Sequence, residues 1–120
     1  MDFIGKNEQV LDFFSADLTL LSGQLLKIII CQENMNLTVE LDVQLLYAKR
    51  NKAYKIKFID VQEYSFYHHK DYIFYNISNY KFMRNNGLFY ISLDPDEDES
   101  SVSTNDQDFI SSVALEAYSI

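Results

Sequence analysis

The chain has 120 residues, of which 48% are apolar and 15% aromatic, and its formal net charge is −8. Such a composition is too apolar for an intrinsically disordered segment, and the length suits one domain with its own core. We therefore expect a single domain over residues 1–120. The acidic balance argues against a nucleic-acid partner, because such partners require Lys and Arg to neutralise phosphates.

The N-terminus and the single cysteine indicate the cellular compartment of the protein. Residues 1–6 lack the basic and then apolar pattern of a secretory signal, and no run approaches the roughly 18 uncharged apolar residues of a membrane span. Cys31 has no partner for an internal disulfide and follows three isoleucines, where a thiol usually acts as a small hydrophobe. We expect a cytoplasmic protein of bacterial type that does not associate with membranes.

The first third of the chain predicts a short helix followed by a hairpin. Apolar residues recur at helical spacing within 7–14, and Asn7 suits the N-cap position. The run 25–31 contains three consecutive isoleucines, which favours a buried strand. In residues 36–45 every odd-numbered position is apolar and every even-numbered one is polar. This period of two predicts an antiparallel strand with one face on the core and the other in water.

The middle of the chain predicts further strands and an aromatic band. Residues 54–61 read as a strand whose apolar set shifts by one position after Phe58, which indicates a bulge. The segment 64–82 is densely aromatic, with His68 and His69 at an expected exposed turn. The triplet 85–87, Asn-Asn-Gly, predicts a tight hairpin because Asn and Gly tolerate positive φ.

The last part of the chain predicts an acidic loop and a closing strand. Residues 94–108 are acidic and rich in Ser, and we expect them to form a mobile loop before a final strand at 113–117. The fold class is therefore mainly β, or α+β: a short N-terminal helix, then about six mostly antiparallel strands in a curved sheet, a sandwich or a partly open barrel.

All of the net charge belongs to the C-terminal end. Residues 94–120 contain eight acidic residues and no Lys or Arg, whereas residues 1–93 contain ten of each sign. The carboxylates of 94–98 alternate like calcium ligands, but Glu99 stands where an EF-hand needs Gly, and Asn105 stands where it needs Glu. A solvated charge run is the simpler interpretation, and a cation site of another type that draws in Asp106 or Asp108 stays an alternative.

The motifs of catalysis and cofactor binding are missing from the sequence. There is no Gly-x-Ser-x-Gly elbow and no glycine-rich phosphate loop. The adjacent His68 and His69 would diverge on a strand or a turn, which is poor geometry for one metal. We predict no enzyme activity, no cofactor and no metal.

The aromatic band and the acidic loop together suggest a partner surface. Tyr67, Tyr72 and Tyr75 fall where alternation leaves some rings on an outer face, and Tyr is enriched in protein interfaces. Core packing of the same rings is the alternative. Four carboxylates of the loop would steer a basic partner toward this face: Asp96, Glu97, Asp98 and Glu99.

The order of these parts resembles small bacterial immunity proteins that neutralise polymorphic toxins. The similar features are the opening helix at 10–14, the step Ser22-Gly23 into the first strand, the strand at 55–61 and the closing Phe109-Ile110 strand. The resemblance implies a stoichiometric inhibitor that covers the active site of one toxin domain, and a basic toxin nuclease would suit the acidic loop.

Two other functions stay open. One is a small-ligand-binding β-barrel or sandwich whose aromatic residues line a pocket. The other is a homo-oligomeric structural module that hides its aromatic face in a dimer. The sequence identifies neither a partner nor a strand order.

Overall fold

A computed structural model describes residues 1–15, 18–46 and 53–120. Within these ranges the chain forms one helix and seven strands, and the helix is not long and apolar enough to cross a membrane. The elements in chain order are β1 (Asp2–Lys6), α1 (Glu8–Phe13), β2 (Gln24–Glu33), β3 (Asn36–Gln44), β4 (Ala53–Ser65), β5 (Lys81–Asn85), β6 (Leu88–Asp94) and β7 (Gln107–Ser119).

The strands form one antiparallel sheet in the order β2-β3-β4-β7-β6-β5. β7 has 13 residues and pairs with β4 along most of its length. Its other side is shared, because its first half pairs with β6 and its last residues pair with β1. The predicted mainly β class with antiparallel strands is therefore confirmed.

The core lies on one face of this sheet. The alternation predicted for residues 36–45 is confirmed on that face, where Val39, Leu41, Val43 and Leu45 are buried. Val10 and Phe14, from and just after α1, pack onto the same core, as do Phe74 and Ile77 from the long connection between β4 and β5. That connection, residues 66–80, therefore contributes core side chains without adding a strand to the sheet.

The N-terminus differs from the prediction, since β1 precedes the helix and pairs with β7. Asn7 stands at the N-cap position, but its side chain makes no capping hydrogen bond. Its Oδ1 accepts instead from the backbone N–H of Leu115 at 3.0 Å, and its own N–H donates to the Leu115 carbonyl at 2.9 Å. These two bonds fasten the start of the helix to β7.

The prediction of a buried first strand is wrong. β2 forms the edge of the sheet, and of its ten residues only Leu25 is buried. Cys31 is half-buried, and its thiol lies 3.8 Å from Oε1 of Glu33. Burial and the negative charges of Glu33 and Glu40 raise the pKa of this thiol, which disfavours the reactive thiolate.

The polar face of β3 is also drier than predicted. Lys55 on the neighbouring strand lies 2.8 Å from Asp42 and 3.5 Å from Glu40, and all three side chains are less than a fifth exposed. Burial acts to lower the pKa of Lys55, but the two carboxylates outweigh it and the pKa rises. The carboxylates predicted to project into solvent therefore form a cross-strand ion-pair network.

Turns and a bulge follow the sequence signals. Asn86 and Gly87 have φ of 51° and 79°, as the predicted hairpin requires. The register between β4 and β7 shifts between Val61 and Glu63, and Asp60 has a φ of 56°. The predicted bulge therefore exists, a few residues past the point where the apolar pattern slips.

Candidate functional site

The acidic loop, residues 94–108, is held in place by one buried carboxylate. Oδ1 of Asp106 accepts from Nζ of Lys81 and from the backbone N–H of Asp96, both at 2.8 Å. Its Oδ2 accepts from the phenol of Tyr90 at 2.9 Å and from the backbone N–H of Ser103 at 3.0 Å. Four donors from three parts of the chain therefore converge on Asp106, which we call the loop anchor.

The electrostatics of the anchor favour a charged Asp106. Burial acts to raise its pKa, but the hydrogen bonds from Lys81 and from the backbone of Ser103 and Asp96 outweigh burial and lower it. Burial, and then the hydrogen bond to the same carboxylate, raise the pKa of the Tyr90 phenol, so the phenol stays a donor. The Lys81 and Asp106 side chains are 7% and 0% exposed, so this ion pair is almost completely buried.

The anchor folds the acidic loop over the outer face of β5 and β6. Lys81 pairs with Ser92 and Met83 pairs with Tyr90, which puts these side chains on the face opposite the core. Nζ of Lys81 also donates to the Ser101 carbonyl at 2.7 Å. The loop is therefore a second layer on this end of the sheet.

A local turn shapes the loop before the anchor. Asp96 accepts from the N–H of Asp98 at 3.0 Å and from the hydroxyl of Ser103 at 2.9 Å. The bond from the Asp98 backbone and then the bond from Ser103 lower the pKa of Asp96. These contacts and the anchor hold the loop at several points, whereas the sequence predicted a mobile loop over 94–108. The two ends of that range, Asp94 and Asp108, belong to β6 and β7.

The remaining predicted loop carboxylates face water. Glu97, Asp98 and Glu99 are exposed, and within the described ranges none of them forms an ion pair with Lys or Arg. Of the four predicted contact residues in the loop, three are therefore free for a partner and Asp96 is structural.

A second cluster joins the aromatic band to the strand ends. The Tyr72 phenol lies between Oδ2 of Asp94 and Oδ2 of Asp108, with 2.8 Å to the latter. Oδ1 of Asp108 accepts from the backbone N–H of Tyr67 at 2.8 Å. We call Tyr67, Tyr72, Asp94 and Asp108 the tyrosine–aspartate cluster, and it fixes the connection between β4 and β5 to the ends of β6 and β7.

The cluster has fewer protons than hydrogen-bonding contacts. The Tyr72 phenol has one proton, so it can donate to only one of the two carboxylates. Both contacts are hydrogen bonds when one carboxyl is protonated and donates to the phenol oxygen. Burial raises the pKa of Asp108, and the negative charge of Asp94 adds to this effect, although the bonds from Tyr67 and Tyr72 oppose it. Asp108 therefore retains a proton more readily than an exposed carboxyl does.

The three predicted tyrosines have different environments. Tyr67 is 58% exposed, whereas Tyr72 and Tyr75 are partly buried against the core. The Tyr75 phenol lies 2.8 Å from Nδ1 of His68, and burial with the two carboxylates of the cluster raises the pKa of Tyr72. Only Tyr67 offers most of its ring to a partner.

Open clefts flank Tyr67. One of about 360 Å³ is lined by Ser65, Tyr67 and the segment 106–108. Another of about 330 Å³ is lined by Tyr67, the turn 69–72 and Gln107. Tyr67 and Gln107 belong to both, so the two clefts form one groove beside the loop anchor.

A third cleft lies on the far side of the anchor. It has a volume of about 370 Å³ between the segments 79–83 and 95–100, and Glu97 and Glu99 line it. The anchor thus separates an acidic cleft from the groove of Tyr67. The predicted tyrosine and loop residues belong to adjoining surfaces that Asp106 links.

Neither a metal-binding group among the described residues nor a similar known protein indicates a function for this region. Among residues 1–15, 18–46 and 53–120, no group of three or more His, Cys, Asp or Glu side chains is arranged to hold a metal ion. His68 and His69 lie exposed at the turn, as predicted. Searches against protein-family models, curated proteins and solved structures give no match.

Three residues central to this region were not predicted from the sequence as structural groups. They are Lys81, Asp106 and Asp108, all buried. Lys81 falls at the start of an aromatic strand, and the two aspartates lie within the acidic run, where a solvated residue is the ordinary expectation. No local sequence pattern therefore distinguished these three residues from their neighbours.

Proposed function

We propose that the chain is a protein-binding module that presents the acidic loop and Tyr67 to a basic protein partner. The observation that carries the proposal is that Glu97, Asp98 and Glu99 are exposed on a loop held by the buried Asp106. A loop fixed before binding loses less conformational entropy on association than a free one. Preorganised like charges of this kind raise the association rate of an oppositely charged protein.

Charge placement supports a basic partner over an acidic one. Lys55, Lys57, Lys81 and Arg84 each lie within an ion pair with a carboxylate. The loop carboxylates 97–99 have no such pairing within the described ranges, so their field reaches solvent. The exposed ring of Tyr67 supplies an apolar contact next to this field.

Within this class, we propose a toxin-neutralising immunity protein of the bacterial cytoplasm. The support is the order of sequence elements described above and the fit between an acidic surface and a basic nuclease domain. Such a protein acts by occupying its target stoichiometrically, so it needs a rigid complementary surface and no catalytic groups of its own.

The first experiment identifies the partner. The chain, carrying an affinity tag, is co-expressed with the product of the adjacent gene. The complex is captured on the tag, and its molar mass is measured by light scattering. A stable complex of one copy each, in which the partner loses its toxicity or nuclease activity, supports the proposal. If no neighbouring gene product binds, the proposal is abandoned.

The second experiment tests the surface. In the variant Asp98→Asn/Glu99→Gln we expect the association rate with the captured partner to fall several-fold at low salt, with little change in dissociation. The matched control Asp2→Asn/Asp12→Asn removes the same charge from exposed positions outside the loop. Equal effects of the two variants would assign the charge effect to the whole protein and remove the loop from the interface.

A further inference from the structure

Strand β2 meets no backbone of the described residues on its outer side along most of its length. Its first residues are covered, since the N–H of Leu25 donates to the Tyr75 carbonyl at 2.8 Å and Gln24 bridges Asn76. In the part of the chain that the structure describes, no other backbone segment pairs with 26–33 on the side away from β3. The backbone groups on that side are therefore available to another strand.

The adjoining turn shows which backbone groups point outward. Asn34 and Met35 have φ of 51° and 69°, the signature of a type I′ turn, in which the Glu33 carbonyl accepts from the N–H of Asn36. Glu33 therefore directs its groups toward β3, and alternation directs those of Ile28, Ile30 and Gln32 away from it. These three residues carry the free donors and acceptors of the edge.

The open side also carries exposed apolar side chains. Leu26 is 52% exposed and Ile30 is 43% exposed, although both lie in a strand of the sheet. β2 contains no Pro, and Lys27 is its only basic residue. A long edge that carries exposed apolar side chains and has so little protection is a template for strand addition.

We propose that two copies of this chain pair through β2, antiparallel, about a two-fold axis at Ile30. In this register Ile30 faces Ile30 of the second copy, and Ile28 faces Gln32, so the outward groups of both strands meet. Roughly six backbone hydrogen bonds then close the edge, two for each hydrogen-bonded pair. The dimer joins the two sheets into one and is independent of the proposed protein partner.

Charge selects this register over its neighbours. With the axis at Ile30, Lys27 of each copy faces Glu33 of the other on the face opposite the core, and two ion pairs form. A shift that places the axis at Ile29 sets Lys27 against Cys31 and leaves Glu33 opposite Leu25. The edge is therefore complementary to itself in one register, in both hydrogen bonding and charge.

The experiment is sedimentation velocity across a concentration range from about 1 to 500 μM, since edge pairing buries less surface than a standard interface. The unmodified protein should shift from monomer to dimer. The variant Lys27→Glu places Glu against Glu33, and the variant Glu33→Lys places Lys against Lys27. Each should weaken dimerisation about tenfold, through the loss of two ion pairs and the repulsion that replaces them.

Mixing the two variants provides the decisive readout. In the mixed dimer both cross-strand pairs have opposite charges again, so the mixture should dimerise about as well as the unmodified protein. Lys70→Glu, an exposed change of the same charge in the connection between β4 and β5, should leave dimerisation unchanged. Monomer at all concentrations, or single variants that dimerise normally, would overturn the proposal.

A crosslink tests the register even if a charge variant folds poorly. In a Cys31→Ser background, Ile30→Cys puts two thiols across the axis at a Cα separation of about 5.5 Å, which a disulfide can span. Mild oxidation should give a covalent dimer. The matched variant Ile29→Cys should not crosslink, and preferential crosslinking at that position would show a different register and overturn the proposed one.

Discussion

The two end strands of the sheet differ in length and in how their side chains contact the rest of the chain. β5 has five residues, and its Arg84 donates to Glu8 of the helix at 2.8 Å while its guanidinium lies over the ring of Phe89. Lys81, also on β5, lies beneath the acidic loop. β2 has ten residues and, past Leu25, meets no described backbone on its outer side. The side chains of β5 are therefore tied to the helix and the acidic loop, whereas we propose that the outer backbone of β2 pairs with a second molecule.

The closed end depends most on its buried ion pair. Asp106→Ala leaves the Lys81 ammonium buried without its partner and removes an acceptor from Tyr90 and two backbone donors. We expect the free energy of unfolding to fall by about 3–5 kcal/mol, measured by urea denaturation. Asp98→Ala, exposed in the same loop, should change it by less than about 0.5 kcal/mol.

A paired replacement separates charge from packing at the same position. If the cost of Asp106→Ala comes from an unpaired charge, the double variant Lys81→Met/Asp106→Leu should lose less stability than the single one. A double variant that is less stable than Asp106→Ala would contradict this interpretation and assign the stabilisation to the backbone bonds of the loop.

The fold was predictable where a pattern was regular or a turn was chemically specific. The alternation of residues 36–45 fixed a half-buried strand, and Asn86-Gly87 fixed a hairpin. β1 was missed, because five residues contain too few alternations to distinguish a strand from an N-terminal tail. β2 was expected to be buried, because a run of isoleucines gives hydrophobicity but not the position of its strand in a sheet.

The candidate site was predictable only in its exposed part. Sequence reasoning selected Tyr67 and Glu97 to Glu99 as contact residues, and these are exposed. It could not distinguish Asp106 from its acidic neighbours, because burial depends on Lys81, which lies 25 residues earlier in the chain. Long-range pairs of this kind leave no local pattern.

The tyrosine–aspartate cluster adds a pH dependence of opposite sign to that of the anchor. The native pKa of Asp108 is raised, so the native state holds a proton that the unfolded chain has released, and stability falls as pH rises through the native pKa. Asp108→Asn keeps the hydrogen-bonding shape without the charge. We expect it to raise the free energy of unfolding by about 1–2 kcal/mol at pH 8.

This gain should shrink as the pH is lowered, because Asp108 of the unmodified protein becomes increasingly protonated in the native state. Urea denaturation between pH 4 and pH 8 measures the difference, and Asp98→Asn is the control that should show none. A gain that is the same at both pH values would rule out titration of Asp108 as its cause.

The turn around Asp96 should contribute less than the anchor. Asp96→Ala removes the acceptor for the Asp98 N–H and the Ser103 hydroxyl but leaves Asp106 in place. We expect a loss of about 1 kcal/mol and faster cleavage of the loop between 97 and 105 in limited proteolysis. Glu99→Ala should be cleaved like the unmodified protein. Rapid cleavage of the unmodified loop would support a mobile segment and contradict the anchoring described here.

The smallest effect on folding is expected at the open end. Glu33 forms an ion pair with Lys57 at 3.2 Å, but its side chain is 46% exposed, so solvent screens the pair. Lys27→Glu and Glu33→Lys should each change the free energy of unfolding of the monomer by less than about 0.5 kcal/mol, measured in dilute protein where dimers are absent. The same substitutions should weaken dimerisation about tenfold. We expect association and folding to be separable at the edge of β2. At the other end of the sheet, loss of the buried Lys81–Asp106 pair destabilises the fold itself.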